Sequence, residues 1–434
     1  MARIAIVGAG VSGLTAAYVL HRAGHGVRLF EAGEYAGGHT CTVPVEVAGE
    51  TYDVDTGFIV LNDRNYPSLT AMLAHLGVET APSDMSFAVT SEATDFEYAS
   101  TSVGGLYANR RHLLSPSFQR MVLEVRRFQR DAPKLLDTDG EGPSLGEYLK
   151  QERYSKWFIE RLLVPQASAV WSADPRETTW SFPAKYLIRF FANHGMLDLR
   201  DRPRWSFVRG GASTYVARIV AELGDRVTIA TPVASIARFD DHVTIVPRGE
   251  HAETYDNVVI ATHADQALAL LADPSDDERR LLSAIPYSDN EVVLHTDRSL
   301  LPRRRRAWAS WVFHLLDEPT GVTTVTYHMN RLQALDCPEE ICVTLNRTDA
   351  IDPSKILRRQ TFAHPIFTQA GVAAQAEHGA ISGVRRTHYC GAYWGWGFHE
   401  DGVLSALRVC AALGARPPWL DDATNDAEEL EEAA

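Results

Sequence analysis

The pattern of apolar positions changes period twice within the first thirty residues. Ile4-Ala5-Ile6-Val7 is an unbroken apolar run, the pattern of a buried strand. Leu14-Thr15-Ala16-Ala17-Tyr18-Val19-Leu20 places apolar residues at helical spacing, and Val27-Arg28-Leu29-Phe30 returns to a strand. Tyr52 to Val60 alternates like a strand with a break at Gly57. From about Tyr66 to Arg204 that rhythm lapses. Ser117 to Leu136 reads instead as an amphipathic helix, with Phe118, Met121, Val122, Val125 and Phe128 on one face. Strands resume at Val227–Ile229, Val233–Ile236, Val243–Val246 and Tyr255–Ile260, after a helix that ends near Leu223. A second strand-rich block covers Asn290–Thr296, Trp308–Phe313, Val322–Met329 and Ile341–Leu345, and Val403 to Cys410 is a helix. The order predicts an α/β fold built from separated segments.

The first turn carries candidate chemistry. Gly8-Ala9-Gly10-Val11-Ser12-Gly13 joins the first strand to the first helix, and Glu31 closes the second strand, 18 residues beyond Gly13. Gly8 permits the tight turn, Gly10 lets backbone approach a pyrophosphate, and Gly13 lets the helix pack on the strand. The helix N-terminus offers N–H groups to phosphates, and Glu31 can accept from ribose hydroxyls. This combination predicts dinucleotide binding. Gly37-Gly38-His39-Thr40 follows closely, a second approach of backbone to cofactor that an extended flavin dinucleotide needs and a nicotinamide one does not. Ala261-Thr262, after the last strand of the Tyr255–Ile260 run, ends it in small residues where a cofactor can pass.

Composition narrows the class. At 434 residues, with 45% hydrophobic and 23% charged residues, the chain can bury two substantial domains. No apolar run approaches the roughly 20 residues of a membrane span, and the N-terminal apolar stretch is already a strand rather than a leader. The five cysteines, Cys41, Cys337, Cys342, Cys390 and Cys410, show no metal or disulfide spacing, which predicts reduced thiols in the cytoplasm. The net charge of −14 argues against nucleic acid. Much of it sits after Arg416, in an acidic tail expected to be disordered over 416–434.

Four stretches together, Gly8 to Gly13, Gly37 to Thr40, Asp55-Thr56-Gly57-Phe58-Ile59-Val60 and Gly391 to Gly402, resemble the flavin-dependent amine oxidase and phytoene desaturase superfamily. Within it the chain is most similar to bacterial oxidoreductases predicted to bind NAD or FAD and often encoded beside cyclopropane-fatty-acyl-phospholipid synthases. The resemblance implies a Rossmann-like FAD-binding domain made of residues 1–65, 205–288 and 380–415. An inserted α+β substrate domain would comprise 66–204 and 289–379. It also implies non-covalent FAD held by Gly8, Gly10, Val11, Ser12, Gly13, Glu31, Ala32, Gly37, Gly38, His39, Thr40, Thr56, Gly57, Phe58, Val233, Ala261, Thr262, Gly391, Gly402 and Val403. Val233 would lie against the adenine, Gly391 against the diphosphate, and the Asp401-Gly402-Val403 turn beside the flavin pyrimidine. The superfamily usually has Arg where this chain has His39.

Many relatives place a lysine near flavin N5, but no lysine occurs here between Lys185 and Lys355. His295 is the titratable residue on the matching strand and the candidate catalytic group. The missing lysine shifts the expected chemistry from amines to oxidation or desaturation of an apolar chain, and the resemblance makes that chain a modified or unsaturated fatty acyl lipid. A flavin amine oxidase is the alternative enzyme. A flavin-binding subunit serving a lipid methyltransferase partner is the alternative of another kind. Arg303-Arg304-Arg305-Arg306, with Trp308 and Trp311, predicts peripheral contact with the inner membrane face.

Overall fold

The computed structural model describes residues 1–140, 142–171, 180, 182–197, 202–318 and 320–421. Five strands form a parallel sheet in the order Val227–Thr228, Gly26–Phe30, Arg3–Val7, Asn257–Ile260, Thr387–Tyr389. The apolar runs are explained by burial on both faces. Ile4, Ile6, Leu29 and Val259 pack under helices Val11–Arg22, Ser213–Leu223 and His399–Ala412. Ala5, Val7, Phe30, Val258 and Ile260 pack instead on an antiparallel sheet of Val233–Arg238, Val243–Pro247 and Glu253–Tyr255. The result is three layers, with the first turn at the carboxyl edge of the central sheet.

The second unit is a seven-stranded sheet in the order Ile356–Pro365, Tyr287–His295, Cys342–Leu345, Val325–His328, Trp311–Leu315, Phe87–Ser91, Glu97–Ala99. The region between Tyr66 and Arg204 contributes strands as well as helices. Its strands 87–91 and 97–99 complete a sheet begun by the later block, through parallel pairing of Phe87–Ser91 with Trp311–Leu315. The amphipathic helix runs Pro116–Asp131, with Ser115 accepting from the Phe118 N–H and Pro116 at its first turn. It buries Phe118, Met121 and Phe128. A 3-10 turn, Ala132–Asp137, takes over where the helix was expected to continue.

The acidic tail begins later than expected. Pro418–Asp421 is a short helix because Trp419 finds an apolar site, stacked 6.4 Å from the Tyr18 ring and almost fully buried. The remainder of the expected tail, 422–434, lies outside the described residues.

Burial sets an acid limit on this fold. It holds His194, His295, His364 and His388 down to about 4, and His314 and His399 down to about 3. Above pH 6.5 these rings are neutral in both folded and unfolded chains. Below it the unfolded chain binds protons that the fold refuses, so stability falls as pH drops from 6.5 toward 4. Asp55 and Asp401, pushed up to about 7 by burial, act oppositely and relieve the fold as pH falls from 7 toward 4. Each group changes stability by about 1.4 kcal/mol per pH unit, and six outweigh two. The urea midpoint is expected to fall between pH 6.5 and pH 5. A flat or rising midpoint would contradict this account.

Candidate functional site

A cavity of about 1290 Å³ opens where the carboxyl edge of the parallel sheet meets the seven-stranded sheet. Small-molecule pockets usually measure roughly 300–1,000 Å³, so there is room for a large cofactor and a substrate together.

The first turn forms one end. A Cβ on Gly13 would overlap the Gly8 carbonyl oxygen, so only glycine brings the helix this close to its strand. Gly10 precedes the helix without a side-chain cap, leaving the first N–H groups directed at the cavity beside Val11 and Ser12. Glu31 is held in place by backbone: its Oε2 accepts from Ala9 N and its Oε1 from Gly33 N, both at 2.7 Å. The second glycine pair is built against this turn. Gly37 N donates to Ala9 O at 2.8 Å, and Gly37 has φ +132°, a backbone state that side chains resist.

Gly8, Gly10, Val11, Ser12, Glu31, Ala32, Gly37, Gly38, His39, Gly57, Phe58, Val233, Ala261, Thr262 and Gly391 all line the cavity. Gly13, Thr40, Thr56, Gly402 and Val403 do not; they stand behind the wall. Thr40 Oγ1 bonds His399 Nε2 at 2.9 Å and Tyr215 OH at 2.6 Å. Thr56 Oγ1 donates to the Cys41 carbonyl. Gly402 permits contact with the first helix, since a Cβ there would lie 2.7 Å from Val11 Cγ1. Val403 is wholly buried. The helix expected to present the 401–403 turn starts at His399, so Phe398 and His399 reach the cavity in its place. His399 stacks on Phe58, ring centroids 3.8 Å apart.

The candidate catalytic residue must be corrected. His295 does not reach the cavity. It is fully buried, its Nδ1 accepts from Asp297 N at 3.0 Å, and its Nε2 bonds Thr344 Oγ1 at 2.8 Å. Both nitrogens are thus spent on structure, because the end of strand 287–295 is covered by its neighbours Cys342–Leu345 and Ile356–Pro365. Five other histidines line the cavity: His39, His194, His263, His364 and His399. His39 was among the expected cofactor contacts; the sequence carried little signal for the other four, which lie in the insertion or at strand and helix ends that only the tertiary fold brings together. His39, His263 and His364 cluster, with His39 ring centroids 5.8 Å from His263 and 5.4 Å from His364. Burial, then the neighbouring rings, hold His39 well below its ordinary range. Where relatives use a cation, this chain presents a neutral ring whose buried Nε2 has no protein partner.

The basic run is also rearranged. Trp311 lines the cavity, and Trp308 Nε1 donates to Pro302 O, so neither sits at the surface as an interfacial anchor. Arg304 is committed to Asp95 and Glu97, at 2.8 and 2.7 Å.

The chain matches the flavin containing amine oxidoreductase family over residues 11–339. It belongs to that family. A Mycobacterium tuberculosis protein named as a putative flavin-containing monoamine oxidase is 26% identical over 283 residues, 62% of this chain and 59% of that protein. The match thus spans about three-fifths of that relative. Cyclohexylamine oxidase from Brevibacterium oxydans superposes with a TM-score of 0.69 at 18% identity, covering 95% of this chain and 98% of that one. A fatty acid isomerase from P. acnes gives 0.62 at 19% identity, over 94% and 98%. At such identities the superpositions establish a shared fold.

The family's cofactor is FAD, and the residues present fit it. The open helix N-terminus at Val11 suits a diphosphate, and the N-terminus at His399, its N-cap amide held by Asp401, borders the same cavity. The fixed Glu31 carboxylate suits a ribose, and the orphaned His39 Nε2 suits a hydroxyl donor. None of the five cysteines lines the cavity. Cys390, nearest in sequence to Gly391, is fully buried, which pushes its thiol up to about 12. Acid precipitation of the purified protein is therefore expected to release all flavin, as FAD, into the supernatant. Flavin in the pellet, or FMN in solution, would refute this. Glu31→Ala is expected to weaken FAD binding by about 1.5–3 kcal/mol, read by fluorescence titration of the apoprotein.

Proposed function

We propose that the chain is an FAD-dependent oxidoreductase that removes hydride from an apolar substrate, a modified or unsaturated fatty acyl lipid. The observation that carries this reading is the chemistry of the cavity wall supplied by 66–204 and 289–379. Met85, Phe87, Val170, Trp171, Phe190 and Phe367 contribute apolar surface to it. Among the described residues the only carboxylate on the whole lining is Glu31, at the dinucleotide end, and there is no lysine. An ammonium group would meet no counter-charge on the substrate side, whereas a hydrocarbon chain would replace water there at a gain of about 25 cal/mol per Å².

FAD, when bound, supplies the two-electron acceptor for this chemistry. The protein's own part is to bind the chain, exclude water and orient polar groups. His364 is the imidazole best placed for the last task. Its Nδ1 accepts from Asn290 Nδ2 at 3.3 Å, and Asn290 Oδ1 in turn accepts from Asn346 Nδ2 at 2.7 Å. That relay leaves the His364 proton on Nε2, and burial, holding the ring down to about 4, keeps it neutral. His364 thus donates a hydrogen bond at neutral pH and does not serve as a base. Turnover takes place at the inner membrane face, and a lipid methyltransferase that prepares the acyl chain is the partner implied by this reading.

Anaerobic bleaching of the flavin tests the substrate class. Methylated or unsaturated acyl lipids are expected to bleach it, and a panel of primary amines and polyamines is not. Rapid bleaching by an amine with none by any lipid would transfer the chain to the amine oxidases. With the reducing lipid, His364→Ala is expected to slow bleaching about tenfold, the worth of one hydrogen bond. His295→Ala, once folded, is expected to bleach at the wild-type rate.

A further inference from the structure

The large apolar side chains left in solvent are not scattered evenly. Val103, Leu113, Leu114 and Leu123 are 77%, 53%, 89% and 65% exposed and lie within one stretch of twenty-one residues. The fold gathers them onto one face. Gln119 Nε2 donates to the carbonyls of His112 at 2.9 Å and Leu113 at 3.3 Å, which ties the helix Pro116–Asp131 to the turn Arg110–Leu114. Leu123 lies one helical turn beyond Gln119, on the side opposite the buried Phe118, Met121 and Phe128. The short helix Val103–Leu106 packs on the turn Arg305–Ala307, where a Cβ on Gly105 would lie 3.1 Å from Arg306 O. Asp95 joins the pieces, accepting from Arg304 Nη1 at 2.8 Å while its carbonyl accepts from Asn109 Nδ2 at 2.6 Å.

The same face is basic on a chain of net charge −14. Arg110, Arg111, Arg305 and Arg306 are exposed and hold no ion pair among the described residues, while the nearby carboxylates Asp95 and Glu97 are already engaged by Arg304. Arginines beside exposed aliphatic side chains fit a surface that is anionic outside and apolar a few ångströms beneath. We propose that this face, Val103, Leu113, Leu114 and Leu123 with Arg110, Arg111, Arg305 and Arg306, docks the protein on an anionic lipid bilayer. The basic run contributes, but the apolar anchors are Val103, Leu113, Leu114 and Leu123 from the insertion and not Trp308 or Trp311.

Position adds a route. Ser100 and Phe87 line the cavity, Ser100 N donates to Phe87 O at 2.8 Å, and Val103 follows three residues later. The docking face thus adjoins, along the chain, strands that carry residues of the cavity wall, and a lipid chain leaving the bilayer there would enter on the side of Phe87. This route rests on the acyl-lipid reading above; the docking does not.

Sedimentation with vesicles tests the docking on the FAD-loaded protein. Vesicles of mixed phosphatidylglycerol and phosphatidylcholine are expected to carry the wild type down, and phosphatidylcholine alone is not. Arg305→Ser with Arg306→Ser is expected to weaken binding roughly 30-fold, from about 1 kcal/mol per arginine near such a surface. Leu113→Ser with Leu114→Ser is expected to weaken it at least about tenfold, with flavin absorbance and melting unchanged in both. Wild type that stays in solution, or variants that sediment like wild type, would overturn the proposal, as would retention by an acidic protein and not by vesicles. Bleaching by a dispersed acyl substrate without vesicles is read in parallel. Bleaching without sedimentation rejects the face and keeps the substrate class; sedimentation without bleaching does the reverse.

Discussion

Two helices from opposite ends of the chain must touch at their N-termini for this cavity to exist. Gly13 lets the helix Val11–Arg22 press onto its strand, and Gly402 lets the helix His399–Ala412 press onto Val11 and Ser12. The consequence is electrostatic. Both helices direct the positive ends of their dipoles toward the same space, the first uncapped and the second with Asp401 on its N-cap amide. The polypeptide thereby adds favourable potential for negative charge in a cavity whose lining, among the described residues, carries Arg202 and Arg204 but no lysine. Glu400 faces away from that space and caps another element, its two oxygens accepting from Ser68 N and Leu69 N. A side chain at either glycine would drive the helices apart and turn their donors off target.

The placement of the second sheet depends on a buried carboxyl. Asp55 Oδ1 accepts from Thr42 Oγ1 and from Ala212 N, while Gln333 bonds both the Asp55 amide and Oδ2. One side chain thus joins the hairpin Thr42–Val47, the entry to helix Ser213–Leu223 and a residue from the seven-stranded sheet's side of the molecule. Burial pushes it up to about 7, a cost met by these hydrogen bonds. The neutral histidines follow the same logic. In a mostly apolar wall, an imidazole persists uncharged and each buried N–H or lone pair needs a partner or a ligand.

Local chemistry was legible wherever neighbours in sequence are neighbours in space. The strand, glycine turn, helix, second strand and Glu31 form one contiguous unit, so spacing alone located the dinucleotide end of the cavity. Gly37-Gly38 was legible because it follows soon after Glu31, within the segment that opens with the glycine turn, and its amide returns to Ala9 of that turn. His295 and Trp311 were misread for a common cause. A strand residue's surroundings depend on which strands flank it and what packs over them; His295 pairs with Cys342 and Ile356, far along the chain, and Trp311 pairs with Phe87 from the other sheet-forming block.

By itself the sequence determined the βαβ unit, the family to which its glycine motifs belong and the absence of a lysine where relatives have one. These are local or compositional facts, and each follows from a residue's own stereochemistry or identity. Tertiary structure alone decided that strand 87–91 joins 311–315 into one sheet, that His364 and not His295 faces the cavity, and that three leucines and a valine share a face with four arginines. Pairing and facing are long-range choices set by burial of whole surfaces, and side-chain period cannot specify which surface a strand or helix will find.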